Sequence, residues 1–210
     1  PPQIHYNKNV PALSRAKTQY RRPCGTNMKG VFLMSDYFDL VNSRESCRNY
    51  DPDHRPTKEQ LVKCVETAQL SPSACNSQPW SFIVVNDPEK SPLVAAATQT
   101  AGLNKFTNHC PSFIIVCEED ARLIGSKQPN QKYAHIDCGL AVSQLCYAAL
   151  QQGLSTCIMG SFDQDMLLNS LGITEPKRVL LVIAVGYAAT DALRTKKRKP
   201  LADTMTYIGE

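Results

Sequence analysis

Three short stretches of this chain carry side chains that could hold a ligand. Arg44, Ser46 and Arg48 alternate in a segment that follows a helical pattern. Two guanidiniums and a hydroxyl at that spacing suit a phosphate, because the planar fork of arginine pairs with phosphate oxygens. Near the other end, Lys196 and Arg198 repeat the alternation and could form a second arm of the same clamp. Between them lies Ser71-Pro72-Ser73-Ala74-Cys75-Asn76-Ser77-Gln78-Pro79-Trp80. Prolines bracket this stretch, and the residue before a proline is pushed away from helix. An extended loop is therefore expected, with Asn76 and Gln78 presenting two primary amides on one side. Such a pair suits a flat heterocycle whose edge alternates donors and acceptors. A fourth stretch, Ile158-Met159-Gly160, ends in a glycine that would let backbone approach a ligand closely. Each feature alone also has a plainer reading: solvated surface charge for the arginines and lysine, a tight turn for Gly160, and a small loop filler for Cys75.

The elements that must position these residues follow from periodicity. A short helix is expected from Ser35 to about Asn42, with Phe38 and Val41 inward. A better marked one follows Thr57, whose pairing with Gln60 has the form of a capping box and precedes Leu61, Cys64, Val65 and Ala68 on one face. Strands are expected at Phe82–Val85, Ser112–Cys117 and Val179–Val185, the last continuous in its hydrophobicity and so central. Asp87-Pro88 reads as the cap and first position of a helix reaching about Thr100. Ala134 to Gln152 forms the longest helical pattern, ended by Gly153. It is apolar on more than one face, which predicts a core helix that also meets a second subunit. A further helix runs from Asp163 to about Leu171 and stops at Gly172.

Composition narrows the class. With 210 residues, 42% apolar and 20% charged, the chain has the makeup of a globular protein, and one α/β domain is the first expectation. The net charge of +4 is uneven. Residues 1–33 hold six basic side chains and no acid, whereas 34–210 hold 17 basic and 19 acidic ones. The nearly neutral main body argues against a nucleic-acid or membrane binder. Residues 1–33 show no sustained period and read as an unstructured or vector-derived extension, with an organelle-targeting leader as the other option. Residues 34–210 would be the folded domain. Nine cysteines without a Cys-x-x-Cys pair point to reduced thiols and a cytoplasmic setting. The four histidines are scattered, so no metal site is expected. No nucleophile elbow, P-loop or Gly-x-Gly-x-x-Gly fingerprint occurs.

Taken in order, Arg44-x-Ser46-x-Arg48, Ser71-Pro72-Ser73-x-x-Asn76-x-Gln78-Pro79-Trp80, Gly153-Leu154-x-Thr156-Cys157-Ile158-Met159-Gly160-x-Phe162-Asp163 and Lys196-x-Arg198-Lys199-Pro200-Leu201 resemble the FMN-dependent nitroreductase family. The resemblance covers about residues 35–208. It implies an α+β fold, a mixed central sheet flanked by helices, in a homodimer with FMN at the interface. Arg44, Ser46 and Arg48 would hold the flavin phosphate and the pyrimidine side of the ring, with Lys196 and Arg198 completing the phosphate site. Ser73, Asn76 and Gln78 would reach the flavin from the partner subunit. Ile158, Met159 and Gly160 would lie under the isoalloxazine, with a backbone N–H near N5.

The implied reaction is ping-pong. NADH or NADPH gives a hydride to flavin N5, and a nitroaromatic, quinone or similar small electron acceptor then takes it. No side-chain acid or base is required, so no catalytic side chain is assigned. Two alternatives stay open: a different family reaction such as reductive dehalogenation, or flavin binding and redox sensing without turnover. Two positions depart from the family pattern: Ser161 stands where many relatives have glycine, and Met159 where some have an acid.

Overall fold

The computed structural model of the protein describes residues 37–209. The extension expected over 1–33, and the first two residues of the first helix, lie outside that range. Helices α1 (Tyr37–Ser43), α2 (Lys58–Gln69), α3 (Ser91–Ala97), α4 (Ala134–Gln151) and α5 (Gln164–Leu171) surround strands β1 (Trp80–Val85), β2 (Ser112–Glu118), β3 (Ser155–Met159) and β4 (Arg178–Gly186). Strand order is β1-β2-β4-β3. Every pairing among these four strands is antiparallel. Parallel character enters through the bridge of Ser46 to Thr156, alongside β3. The sheet flanked by helices is the expected α+β arrangement, with most of its mixed character reduced to that one contact. β2 and β4 are central, as the unbroken apolar run of β4 predicts.

Alternation along the strands divides the core into two layers. Ile114, Val116, Ile183 and Val185 face α2 and α4, where Leu61, Cys64, Leu145 and Cys146 meet them. Phe113, Ile115, Val182 and Ala184 face the opposite side, against Val94, Leu167, Tyr50 and Met159. α4 lies in the first layer, and ten of its 18 residues are buried.

Local chemistry sets the helix ends. Thr57 Oγ1 accepts from the Gln60 N–H at 3.2 Å, and Gln60 Oε1 accepts from the Thr57 N–H at 3.0 Å. The reciprocal pair satisfies two donors that a helix start leaves without partners. Asp163 accepts from the Met166 N–H at 2.9 Å, and Gly172 ends α5 at φ +72°. α3 begins three residues later than its sequence suggests. Asp87 Oδ1 accepts from the N–H groups of Glu89 and Lys90, at 2.8 and 2.9 Å, and so caps a separate turn ahead of the helix. Among the described residues no helix is long and apolar enough to cross a membrane.

Candidate functional site

The segment carrying Arg44, Ser46 and Arg48 is held on both sides by backbone. Cys47 N–H donates to the Thr156 carbonyl of β3 at 2.9 Å. Two residues on, Ala189 N–H donates to the Asn49 carbonyl at 3.0 Å, and Asp51 N–H to the Tyr187 carbonyl at 2.9 Å. Tyr50 closes the segment from below. Its ring is fully buried and its hydroxyl donates to the Ala184 carbonyl at 3.1 Å. Gly186 permits this packing, because a Cβ there would stand 2.8 Å from Pro111 Cδ and 3.1 Å from the Tyr50 ring. The loop is thus wedged between β3 and the chain leaving β4, with little freedom to move.

Its outer face lines a cavity of about 210 Å³ shared with the outgoing chain. Ser46, Arg48 and Asn49 contribute from one side, Thr190 and Arg194 from the other. Glu45 also lines it, but its carboxylate is engaged. Arg194 N–H donates to Glu45 Oε2 at 3.0 Å, Arg194 Nε lies 3.5 Å from the same oxygen, and Arg194 Nη2 donates to the Ser46 carbonyl at 2.5 Å. With that acid paired, the remaining lining is cationic and hydroxylic, which favours an anion. Arg44 is separated from Arg48. It sits on the other side of the loop, over a narrow cleft with Cys146, Leu150 and Thr156.

The Ser71–Trp80 stretch is not extended. A single 3₁₀ turn spans Ala74–Asn76, and Cys75, Asn76 and Gln78 adopt φ of +53°, +52° and +48°. For residues with a Cβ the left-handed region costs about 1–2 kcal/mol each. Three contacts enforce it: Asp137 Oδ2 accepts from the Ala74 N–H at 3.1 Å, Ser73 Oγ accepts from the Gln78 N–H at 3.0 Å, and Trp80 N–H donates to the Gln78 carbonyl at 2.8 Å. Strain held by surrounding contacts in an exposed polar loop is a recurrent property of ligand sites. The two amides do end up together, though by turning and not by alternation: Gln78 Nε2 donates to Asn76 Oδ1 at 3.2 Å. Both side chains are exposed, while Trp80 is buried behind them.

These two regions sit at opposite ends of α4. Asp137, which holds the amide loop, is in its first turn, and Cys146 and Leu150, beneath Arg44, are near its last. Thirteen residues of helix separate Asp137 from Leu150, about 20 Å at 1.5 Å per residue. On β3, Ile158 is 41% exposed on the α4 side and Met159 is buried in the opposite layer; Gly160, just past the strand, is exposed, and a Cβ there would stand 3.9 Å from Leu181 Cδ2. Lys196 and Arg198 continue the chain beyond Arg194. Lys196 is half-buried, and Arg198 is exposed and donates to the Lys197 carbonyl at 2.8 Å.

Arg194, Glu45 and Asp137 do not stand out in the sequence. Arg194 lies in an irregular tail, and Asp137 looks like a first-turn acid favoured by the helix dipole. The residue at 45 carries a faint signal, being an acid between two arginines. Eight cysteines are described, all free, and all but Cys75 are buried. Burial pushes Cys64, Cys110 and Cys138 up to about 12. His135 pairs with the buried Glu118 at 2.9 Å, and no group of three or more potential metal ligands forms among the described residues.

A family model described as the nitroreductase family matches residues 41–187, which include both ends of α4 and the whole sheet. The chain belongs to the nitroreductase family. It is 28% identical over 204 residues to an oxygen-insensitive NADPH nitroreductase of Helicobacter acinonychis, covering 80% of this chain and 95% of the relative. It is 24% identical over 197 residues to a CLA biosynthesis enone reductase of Lactiplantibacillus plantarum, covering 78% and 90%. Solved structures agree on the fold. A Streptococcus pneumoniae nitroreductase family protein superposes with a TM-score of 0.70 at 23% identity, covering 82% of this chain and all of the other. An Exiguobacterium sibiricum protein described as a nitroreductase, in complex with FMN, gives 0.70 at 22% identity, covering 82% and 97%.

Proposed function

We propose that this nitroreductase-family chain is an FMN-dependent oxidoreductase that works as a homodimer and uses NADH or NADPH to reduce a small electron-poor acceptor. The observation that carries the reading is the division of the site. The cation-bearing loop meets one end of α4 and an exposed pair of amides the other, and the helix positions they rest on, Leu150 and Asp137, lie about 20 Å apart along its axis. A flavin mononucleotide needs both: cations for the phosphate and donor–acceptor amides for the ring edge. The cavity, at about 210 Å³, is smaller than the roughly 300–1,000 Å³ of a complete small-molecule site. Half a site per chain is what a two-fold interface would complete.

The surface of α4 supports such an interface. Ile136 and Leu140 are 60% and 43% exposed on the helix, and Gly139 between them has open space above it. A second copy laid on this stripe would remove that apolar surface from water. It would also bring the amide loop of one subunit towards the cation cavity of the other.

The residues present fit FMN. Ser46 and Arg48 would take the phosphate, with Lys196 and Arg198 completing the site from the chain beyond Arg194. Asn76 and Gln78 of the partner would exchange their mutual hydrogen bond for bonds to the ring edge, and Ser73 would keep the loop turned towards it. Ile158 would give an apolar floor, and the backbone at Met159 and Gly160 would lie within reach of the ring. Arg44, on the other side of the loop, would act by holding that loop against α4.

When bound, FMN supplies two-electron chemistry between NAD(P)H and the acceptor. The protein's part is to bind, orient and exclude water, using charges and dipoles fixed in advance. The named relatives reduce nitro and enone compounds. Both are conjugated, electron-poor groups, and this is the acceptor class proposed here, with quinones. The purified protein should be yellow, bind one FMN per chain, and bleach on anaerobic addition of NADH or NADPH. A colourless protein that does not take up FMN would overturn the reading.

A further inference from the structure

The chain that leaves β4 crosses the cation cavity without secondary structure of its own. From Asp191 to Pro200 it has neither helix nor strand. Its start is fixed by the Ala189–Asn49 backbone bond at 3.0 Å. Its middle is held by Arg194, through three contacts that all fall on residues 45 and 46: the N–H and Nε on Glu45 Oε2, and Nη2 on the Ser46 carbonyl. Glu45 is only 14% exposed, so its charge is largely withdrawn from water and depends on this partner. A carboxylate in an otherwise cationic anion cavity would repel a phosphate unless something neutralised it.

We infer that Glu45 is a positioning residue: by clasping Arg194 it fastens the 189–198 strap across the phosphate loop and keeps its own charge off the anion. The clasp sets the register of the strap, and with it the placement of Lys196 and Arg198. This inference rests on the cavity's being the FMN phosphate site.

The test uses the full-length chain with Glu45→Gln, Arg194→Ala and the double variant, read in two ways. The first is hydrogen–deuterium exchange of the flavin-stripped protein over 189–198, which needs no flavin chemistry. Each single variant should lose protection at Arg194, whose N–H now bonds the Glu45 carboxylate. The second is FMN affinity by flavin fluorescence. Each single variant should weaken FMN about tenfold, as for loss of one charge-assisted contact. The double variant should be no worse than the weaker single, because one clasp is being removed. Unchanged exchange in Glu45→Gln would overturn the inference. So would Glu45→Gln binding FMN as well as or better than the wild type while Arg194→Ala binds it worse. In that case Arg194 is itself the phosphate ligand and Glu45 a competitor. If the unaltered protein takes up no FMN, the flavin reading fails by itself, and exchange still decides whether the clasp holds the strap.

Discussion

The two ends of α4 are built in opposite ways. At the cationic end the loop is wedged between β3 and the chain after β4, its tyrosine is buried, and its acid is paired by the chain's own tail. At the amide end the loop is exposed, three of its residues hold left-handed backbone, and its two amides bond each other. One end is finished within a single chain. The other, on the reading proposed here, would present its polar groups to a flavin held by a second copy. The difference explains how a short protein could make a deep cofactor site: each copy would supply a rigid anchor at one end and a presented edge at the other.

The sharpest way to break this comparison is to keep the copies apart. Leu140→Glu puts an unpaired charge in the exposed stripe of α4. It should shift the protein to monomers in sedimentation and weaken FMN about 100-fold or more, as for loss of an interface hot spot. Retained FMN affinity in a monomer would place both halves of the site in one chain. Next come the two ends taken singly. Arg48→Ala should weaken FMN by about 10- to 100-fold, typical of a hydrogen bond to a charged group, and should hardly change riboflavin, which lacks the phosphate. Gln78→Ala should weaken both flavins alike, by about 2- to 10-fold for a neutral bond. Calorimetric titration with the two flavins separates the patterns.

Thiol chemistry gives a smaller contrast between the same ends. Beneath the cationic loop Cys47, Cys110 and Cys157 are buried, and burial pushes Cys110 up to about 12. At the amide end Cys75 is exposed, its sulfur accepting from the Ile124 N–H at 3.4 Å. Of the eight described cysteines, Cys75 should be alkylated first in the native protein, and mass mapping after brief iodoacetamide treatment would show it. The buried thiols also set an alkaline limit. Their pKa is raised by folding, so the native state holds protons that the unfolded chain gives up. The stability they contribute is complete below about pH 8.5, the ordinary thiol value, and is lost as pH rises towards about 12. Thermal unfolding followed from pH 7 to 10 should show the midpoint falling above that value.

What was legible in the sequence is what neighbouring residues decide between themselves. The Thr57–Gln60 box, the Asp163 cap and the Gly172 stop are local bonds, and they occur where the spacing puts them. The two-sided hydrophobicity of α4 was legible too, since Ile136 and Leu140 remain exposed after the core is filled. The amide loop was misread because its shape is imposed from outside. Prolines at 72 and 79 favour extension, but a carboxylate 63 residues away in sequence, Asp137, takes the Ala74 N–H and turns the chain. Arg194 escaped notice for a related reason. Nothing near it in sequence marks it, and its partner Glu45 lies 149 positions earlier.

The most direct measurement mixes two damaged proteins. Arg48→Ala spoils the cationic end and Asn76→Ala with Gln78→Ala spoils the amide end, so each homodimer has two weakened sites. In a heterodimer of the two, separated by differential tags, a site shared between subunits would combine both lesions once and neither lesion once. The account predicts one FMN per heterodimer bound with wild-type affinity. If the heterodimer binds FMN no better than its parents, the site lies within one chain and the account is wrong.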